Sequence, residues 1–188
     1  MHLLRIILGA AFLAAAAPAF AADDIMDAID QARKAYQAND LAGAKQSLDM
    51  ASQLIGQKNA EGFAALLPAA LPGWKAEKVQ TAAIGAAMFG ASTASRSYSN
   101  AKGDNVEVQI TGDSAMIMQF AAILANPQIA GAMGKLMRVG NQRAVQNAEG
   151  DIHMVVANKI LVMVQGSADA ASKLAYAQAV DTGKLSKM

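Results

Sequence analysis

Cysteine is absent from the 188 residues, which excludes disulfides, thiol nucleophiles, thiolate zinc sites, Cys-ligated clusters and an acylated lipoprotein cysteine. Charge is scarce. Asp, Glu, Lys and Arg make up 16 % of the chain and sum to a formal +1, so the overall charge does not attract nucleic acid. Aromatic residues amount to 5 %, with one tryptophan, and there are two histidines. What is plentiful is aliphatic. At 54 % hydrophobic the chain is too apolar for disorder, and its length suits one domain with a substantial core.

Residues 1–21 read as an export signal. Arg5 supplies the positive start, residues 6–17 form an apolar run containing Ile7, Leu8, Phe12 and Leu13, and Pro18 breaks the helix. Ala19-Phe20-Ala21 fits the small-x-small cleavage pattern, leaving Ala22 as the first mature residue. The competing reading is a membrane anchor, but the uncharged stretch is alanine-rich and short of the ~20 residues that span a bilayer. A periplasmic protein without a stable membrane anchor is therefore expected. Cleavage removes Arg5 and His2, so the remainder has as many acids as bases and a single histidine, His153.

Residues 22–67 predict an antiparallel helical hairpin. Ile25, Ile29, Ala32 and Tyr36 fall on one helical stripe. Asp23, Asp24, Asp27 and Asp30 crowd the start of that helix and Arg33 and Lys34 its later half, an order that complements the helix dipole. The four acids read as solvated charges rather than a cation site, since no glycine loop of calcium-ligand spacing follows. Asn39-Asp40 makes a turn with Asp40 as cap, and Ala44, Leu48, Ala51 and Ile55 form a second stripe. Residues 60–67 add a helical turn before Pro68. No second copy of the unit follows, which argues against a solenoid.

Leu71-Pro72-Gly73-Trp74 is the sharpest punctuation, a turn with the sole tryptophan at the start of a strand. A helical hairpin, this Leu-Pro-Gly-Trp turn and a small strand-rich body together resemble a group of uncharacterised bacterial exported proteins. The resemblance covers most of the chain after the signal. It implies the architecture and carries no activity or functional residue.

Residues 68–188 predict an α+β body. Strands are expected over 74–81 and 92–99, the latter with Ala94, Arg96 and Tyr98 on one face, and between them lies a stretch with Gly85 and Gly90. Val106, Val108 and Ile110 alternate with Glu107 and Gln109, giving a strand with one wet face. An apolar helix over 116–124 and a shorter one begun by Asn126-Pro127 follow. Strands over 136–139 and 143–147 flank Gly140-Asn141, and strands over 152–157 and 160–165 flank Asn158-Lys159. Residues 160–164 are apolar throughout, which predicts a central strand covered on both sides. Ser167 then caps a helix over 168–180. The sum is an antiparallel sheet of five or six strands with helices packed on it and the hairpin covering one face. By analogy this arrangement resembles the PsbP/Mog1-like sandwiches.

No catalytic constellation emerges. A serine triad would need His153, which shares a strand face with Val155 and Ala157 and reads as a hydrogen-bonded or partly exposed strand residue. There is no Gly-x-Ser-x-Gly elbow, Walker loop or two-histidine zinc motif, and Gly131-Ala132-Met133-Gly134-Lys135 lacks the Walker spacing. Paired-carboxylate chemistry needs only two acids, but the acids lie mostly in turns and helix starts. A non-enzymatic protein without cofactor is expected. Met116 with Met118, Met133 with Met137, and Met154 beside His153 raise Cu(I) binding, but their Ile, Leu, Val and Ala neighbours favour flexible core filler and no metal.

Two binding readings remain. The first is an envelope accessory factor that docks a protein partner through Ile25, Ile29, Leu48 and Ile55, provided its own sheet does not bury that face. The alternative is a carrier or sensor of a small apolar or amphipathic ligand, with Trp74 and Tyr98 covering it and Arg96 meeting an acidic head group. Against this stands a simpler role for Trp74, anchoring the hairpin to the body.

Overall fold

Small residues set how the first two helices meet. In the computed structural model, which describes residues 23–83, 91–112 and 115–188, α1 (Asp24–Gln37) packs along α2 (Leu41–Ala64). Ala28 and Ala32 of α1 and Ala44 and Ala51 of α2 are buried, and short side chains there allow close approach. Asn39 takes the left-handed φ of 59° in the connecting turn. Asp40 accepts a 2.9 Å hydrogen bond from the Gly43 amide, capping α2 as expected. The export signal of residues 1–21 lies outside the described residues, as do Gly85, Gly90, Asp113 and Ser114.

One correction concerns α2. It is continuous through Gly56 to Ala64, rather than a shorter helix followed by a separate turn. Gly56 and Gly62 each cost up to about 1 kcal/mol, which the burial of Ala60 and Phe63 offsets.

Pro72 and Gly73 then form a type II turn. Gly73 has φ 83° and the Trp74 amide donates to the Leu71 carbonyl at 2.9 Å. The sheet that follows is antiparallel throughout. Its strands are β1 (Trp74–Ala76), β2 (Gln80–Ala83), β3 (Ser92–Asn100), β4 (Asn105–Gly112), β5 (Lys135–Val139), β6 (Gln142–Gln146), β7 (Ile152–Val156) and β8 (Ile160–Gln165). Their order is β1-β3-β4-β8-β7-β6-β5, with β2 also on β3, so eight strands join where five or six were expected. The strand expected over 74–81 is split. At the interruption Arg96 Nε donates to the Glu77 carbonyl at 2.8 Å, and the Glu77 amide donates to Ser97 at 2.9 Å. The all-apolar β8 is central, as its pattern requires. The β7–β8 turn has Ala157 and Asn158 left-handed, one residue earlier than the expected Asn158-Lys159 pair.

Helices lie on both faces. The larger core joins Tyr98, Val106, Val108, Ile110, Ile152, Met154, Val162 and Val164 of the sheet to Phe63 and Leu67 at the end of the hairpin. Tyr176 and Ala177 of α5 (Ala170–Ala179) and Leu185 of α6 (Thr182–Leu185) complete it. On the other face Ile117 and Leu124 of α3 (Ala115–Ala125) and Ala130 of α4 (Pro127–Met133) cover Val145 and Val155. Asn126 caps α4 through Gln128. The hairpin meets the sheet through α2, and α1 rides on α2. Ser167 does not cap α5. It bonds Asn105, its amide donating to Asn105 Oδ1 at 2.7 Å, while Asp169 caps the helix at Ser172.

Candidate functional site

Trp74, at the end of the Leu-Pro-Gly-Trp turn, and Tyr98 of β3 both pack on Tyr176 of α5, and Arg96 lies two residues before Tyr98 on the same strand. Tyr98 projects from the covered face of β3 and has no exposed surface. Its hydroxyl donates to the Pro68 carbonyl at 2.6 Å, and its ring lies 4.4 Å from that of Tyr176. Trp74 meets Tyr176 edge-on at 5.5 Å, and the Tyr176 hydroxyl accepts from the Leu71 amide at 3.3 Å. The Arg96 guanidinium carbon sits 6.0 Å from the Tyr98 ring centre. Burial pushes the Tyr98 phenol up to about 12, with Arg96 opposing and Tyr176 reinforcing the rise. The cluster ties the turn to the sheet and to α5. A ligand has no Tyr98 surface to touch.

The hairpin residues are placed differently. Leu48, Ile55 and Ile29 are 56 %, 44 % and 39 % exposed, while Ile25 is partly buried. Met26, Tyr36, Leu41 and Met50 are exposed as well. Leu41, Leu48 and Ile55 recur at seven-residue intervals, as do Ile29 and Tyr36, so each helix carries a nearly straight apolar row. These rows flank the alanine seam that joins α1 to α2. The sheet does not cover them.

His153 lies on the side of β7 opposite Ile152 and Met154, half-buried, with its ring 5.8 Å from Phe120. Burial holds its pKa below the usual value, against the opposing charge of Asp151. Among the described residues its imidazole makes no hydrogen bond, and no group of three or more His, Asp or Glu is placed to share a metal ion. The methionines are scattered: Met154 is fully buried, Met118 and Met133 are exposed, and the Met116 side chain lies outside the described residues.

Two features went unread in the sequence. Lys173 is buried in α5 and its Nζ donates to Asp151 Oδ1 at 2.6 Å and to the Glu149 carbonyl at 2.8 Å. Burial alone would raise the Asp151 pKa, but hydrogen bonds from Lys173 and Asn147, with the charges of Lys173 and His153, hold it below the carboxylate range. The other is the facing of Arg138 and Arg143 across β5 and β6. That one was within reach, because a two-residue Gly140-Asn141 turn places them opposite.

Fold and surface define an α+β protein in which a helical hairpin with an uncovered apolar face is joined to one antiparallel sheet. Compared with protein-family models, curated proteins and solved structures, the chain matches none of them.

Proposed function

We propose that the chain is a non-enzymatic accessory protein of the cell envelope, exported to the periplasm by residues 1–21, which docks a helical protein partner on its hairpin. The observation that carries this reading is the pair of exposed apolar rows, Leu41, Leu48 and Ile55 on α2 and Ile29 and Tyr36 on α1. Patches of this kind on a monomer mark interaction surfaces. Seven-residue spacing is the geometry that another amphipathic helix matches with its own apolar seam. The export-signal pattern of residues 1–21 supports the envelope setting. A ligand site at Trp74, Arg96 and Tyr98 is the weaker reading, since Tyr98 is committed to the core.

A photo-crosslinking residue in place of Leu48 in intact cells tests the proposal, with the same residue at Lys102 in the β3–β4 turn as control. A discrete protein adduct at position 48 that Ile55→Asp abolishes is expected. Adducts equal at both positions would overturn the docking reading.

A further inference from the structure

The hairpin β5–β6 puts two positive charges face to face. Its register pairs Arg138 with Arg143 and Leu136 with Val145. Like charges directly opposite in an antiparallel pair repel. The other described arginines have partners: Arg33 pairs with Asp30 at 3.0 Å and Arg96 with the Glu77 carbonyl. Among the described residues neither the Arg138 nor the Arg143 guanidinium has an ion-pair or hydrogen-bond partner.

The hollow nearest them is mostly apolar. A hollow of about 340 Å³ is lined by both arginines with Leu124, Pro127, Leu136 and Met137. A second, of about 330 Å³, shares Leu124 and Arg143 with it and is mixed in character, lined by Asn141, Gln142 and Asn158 as well as Ala121 and Val155. No Asp or Glu lines either hollow. Ile129 of α4 and Leu136 of β5 stay exposed nearby. Charges on an edge strand can serve to block sheet-to-sheet pairing. That explains Arg138 on the edge strand β5, but not Arg143 on the interior strand β6.

We propose that this groove is a binding site for an amphipathic anion. A carboxylate or phosphate head bridges the Arg138 and Arg143 guanidinium groups, and an acyl tail lies over Leu124, Pro127 and Leu136. The head removes the repulsion between the arginines, and guanidinium presents the paired donors that planar anions match. Hollows of this size hold small molecules. The site is separate from the hairpin face and does not depend on the docking reading.

The test is calorimetric titration of the purified protein with decanoate, decyl phosphate, decanol and inorganic phosphate, with NMR of leucine methyls to place the contact. The expected result is binding of decanoate or decyl phosphate, whichever head fits better, with shifts at Leu124 and Leu136. Decanol and inorganic phosphate should each bind at least about tenfold more weakly, because each lacks one half of the recognition. Arg138→Gln and Arg143→Gln should each weaken the amphiphile by about tenfold, whereas Arg33→Gln changes nothing. Melting curves keep the result interpretable if a variant is unstable: Arg143→Gln without ligand should melt no lower than the parent, having lost a repulsive pair. Decanol binding as tightly as decanoate, amphiphile affinity unchanged by both arginine substitutions, or no binding of either amphiphile up to about 1 mM overturns the proposal.

Discussion

At the scale of single residues, the buried polar atoms are those that bind distant parts of the chain together. Lys173 reaches from α5 into the turn before β7, where Asp151 and the Glu149 carbonyl hold its ammonium. Lys173 is buried, whereas Asp151 keeps some contact with water and a hydrogen bond from Asn147. Lys173→Met should therefore destabilise the fold by about 1–3 kcal/mol, the range for losing a hydrogen bond between charged groups, read as a lower urea midpoint with unchanged slope. The pair also sets a pH dependence. Asp151 titrates below its ordinary range when folded, so its contribution is present above the unfolded carboxylate value and is lost as pH falls through the folded one. The Lys173→Met variant should lose less stability on acidification than the parent. Tyr98 works at the other end of the scale. Its phenol is raised to about 12, so its contribution is complete below the unfolded value of about 10 and is lost as pH rises towards 12. Tyr98→Phe should cost about 1–2 kcal/mol at neutral pH, leaving the Pro68 carbonyl unpaired, and should flatten the alkaline loss. The covered face of Tyr98 could be read from its alternation with Ala94. Lys173 could not, because a lysine on a helix is solvated unless a carboxylate elsewhere in the chain folds over it, and sequence spacing does not reveal that.

At the scale of elements, caps and turns carried most of the legible signal because their chemistry is local. Asp40, Asn126 and the Pro72-Gly73 turn all act where their residue types require. Ser167 misled for a physical reason. Asp169, two residues later, is an equally good cap, and Ser167 is drawn instead to Asn105 at the start of β4, a partner far away in sequence. The seat of α2 on the sheet was likewise hidden, since part of it rests on a glycine of β4 beneath the Phe63 ring, a contact between residues far apart in sequence. A Cβ at Gly112 would collide with the Phe63 ring. Gly112→Ala should therefore destabilise by about 1–3 kcal/mol. In a Phe63→Ala background the same substitution should cost clearly less, and a double-mutant cycle by chemical denaturation measures the difference. Additive costs would mean that Phe63 does not rest on Gly112.

For the whole molecule, burial is divided unequally between its two ends. The sheet is covered by α2, α5 and α6 on one face and by α3 and α4 on part of the other, while the apolar rows of the hairpin take no part in either core. That division was only half legible. The central place of β8 followed from two apolar faces, but an apolar helical stripe does not say whether a sheet or another molecule covers it. The placement of Leu48 separates the two cases energetically. A side chain that supports the fold loses several kcal/mol when replaced by a charge, whereas an exposed one changes stability by no more than about 0.5 kcal/mol. With Leu48 56 % exposed, Leu48→Asp should leave the melting temperature of the isolated protein nearly unchanged. It should nevertheless abolish the adduct formed by a crosslinker at Leu41, one helical repeat away on the same row. Stability and docking then part company at a single residue. A large fall in melting temperature would instead place Leu48 in the core and remove the surface on which docking depends.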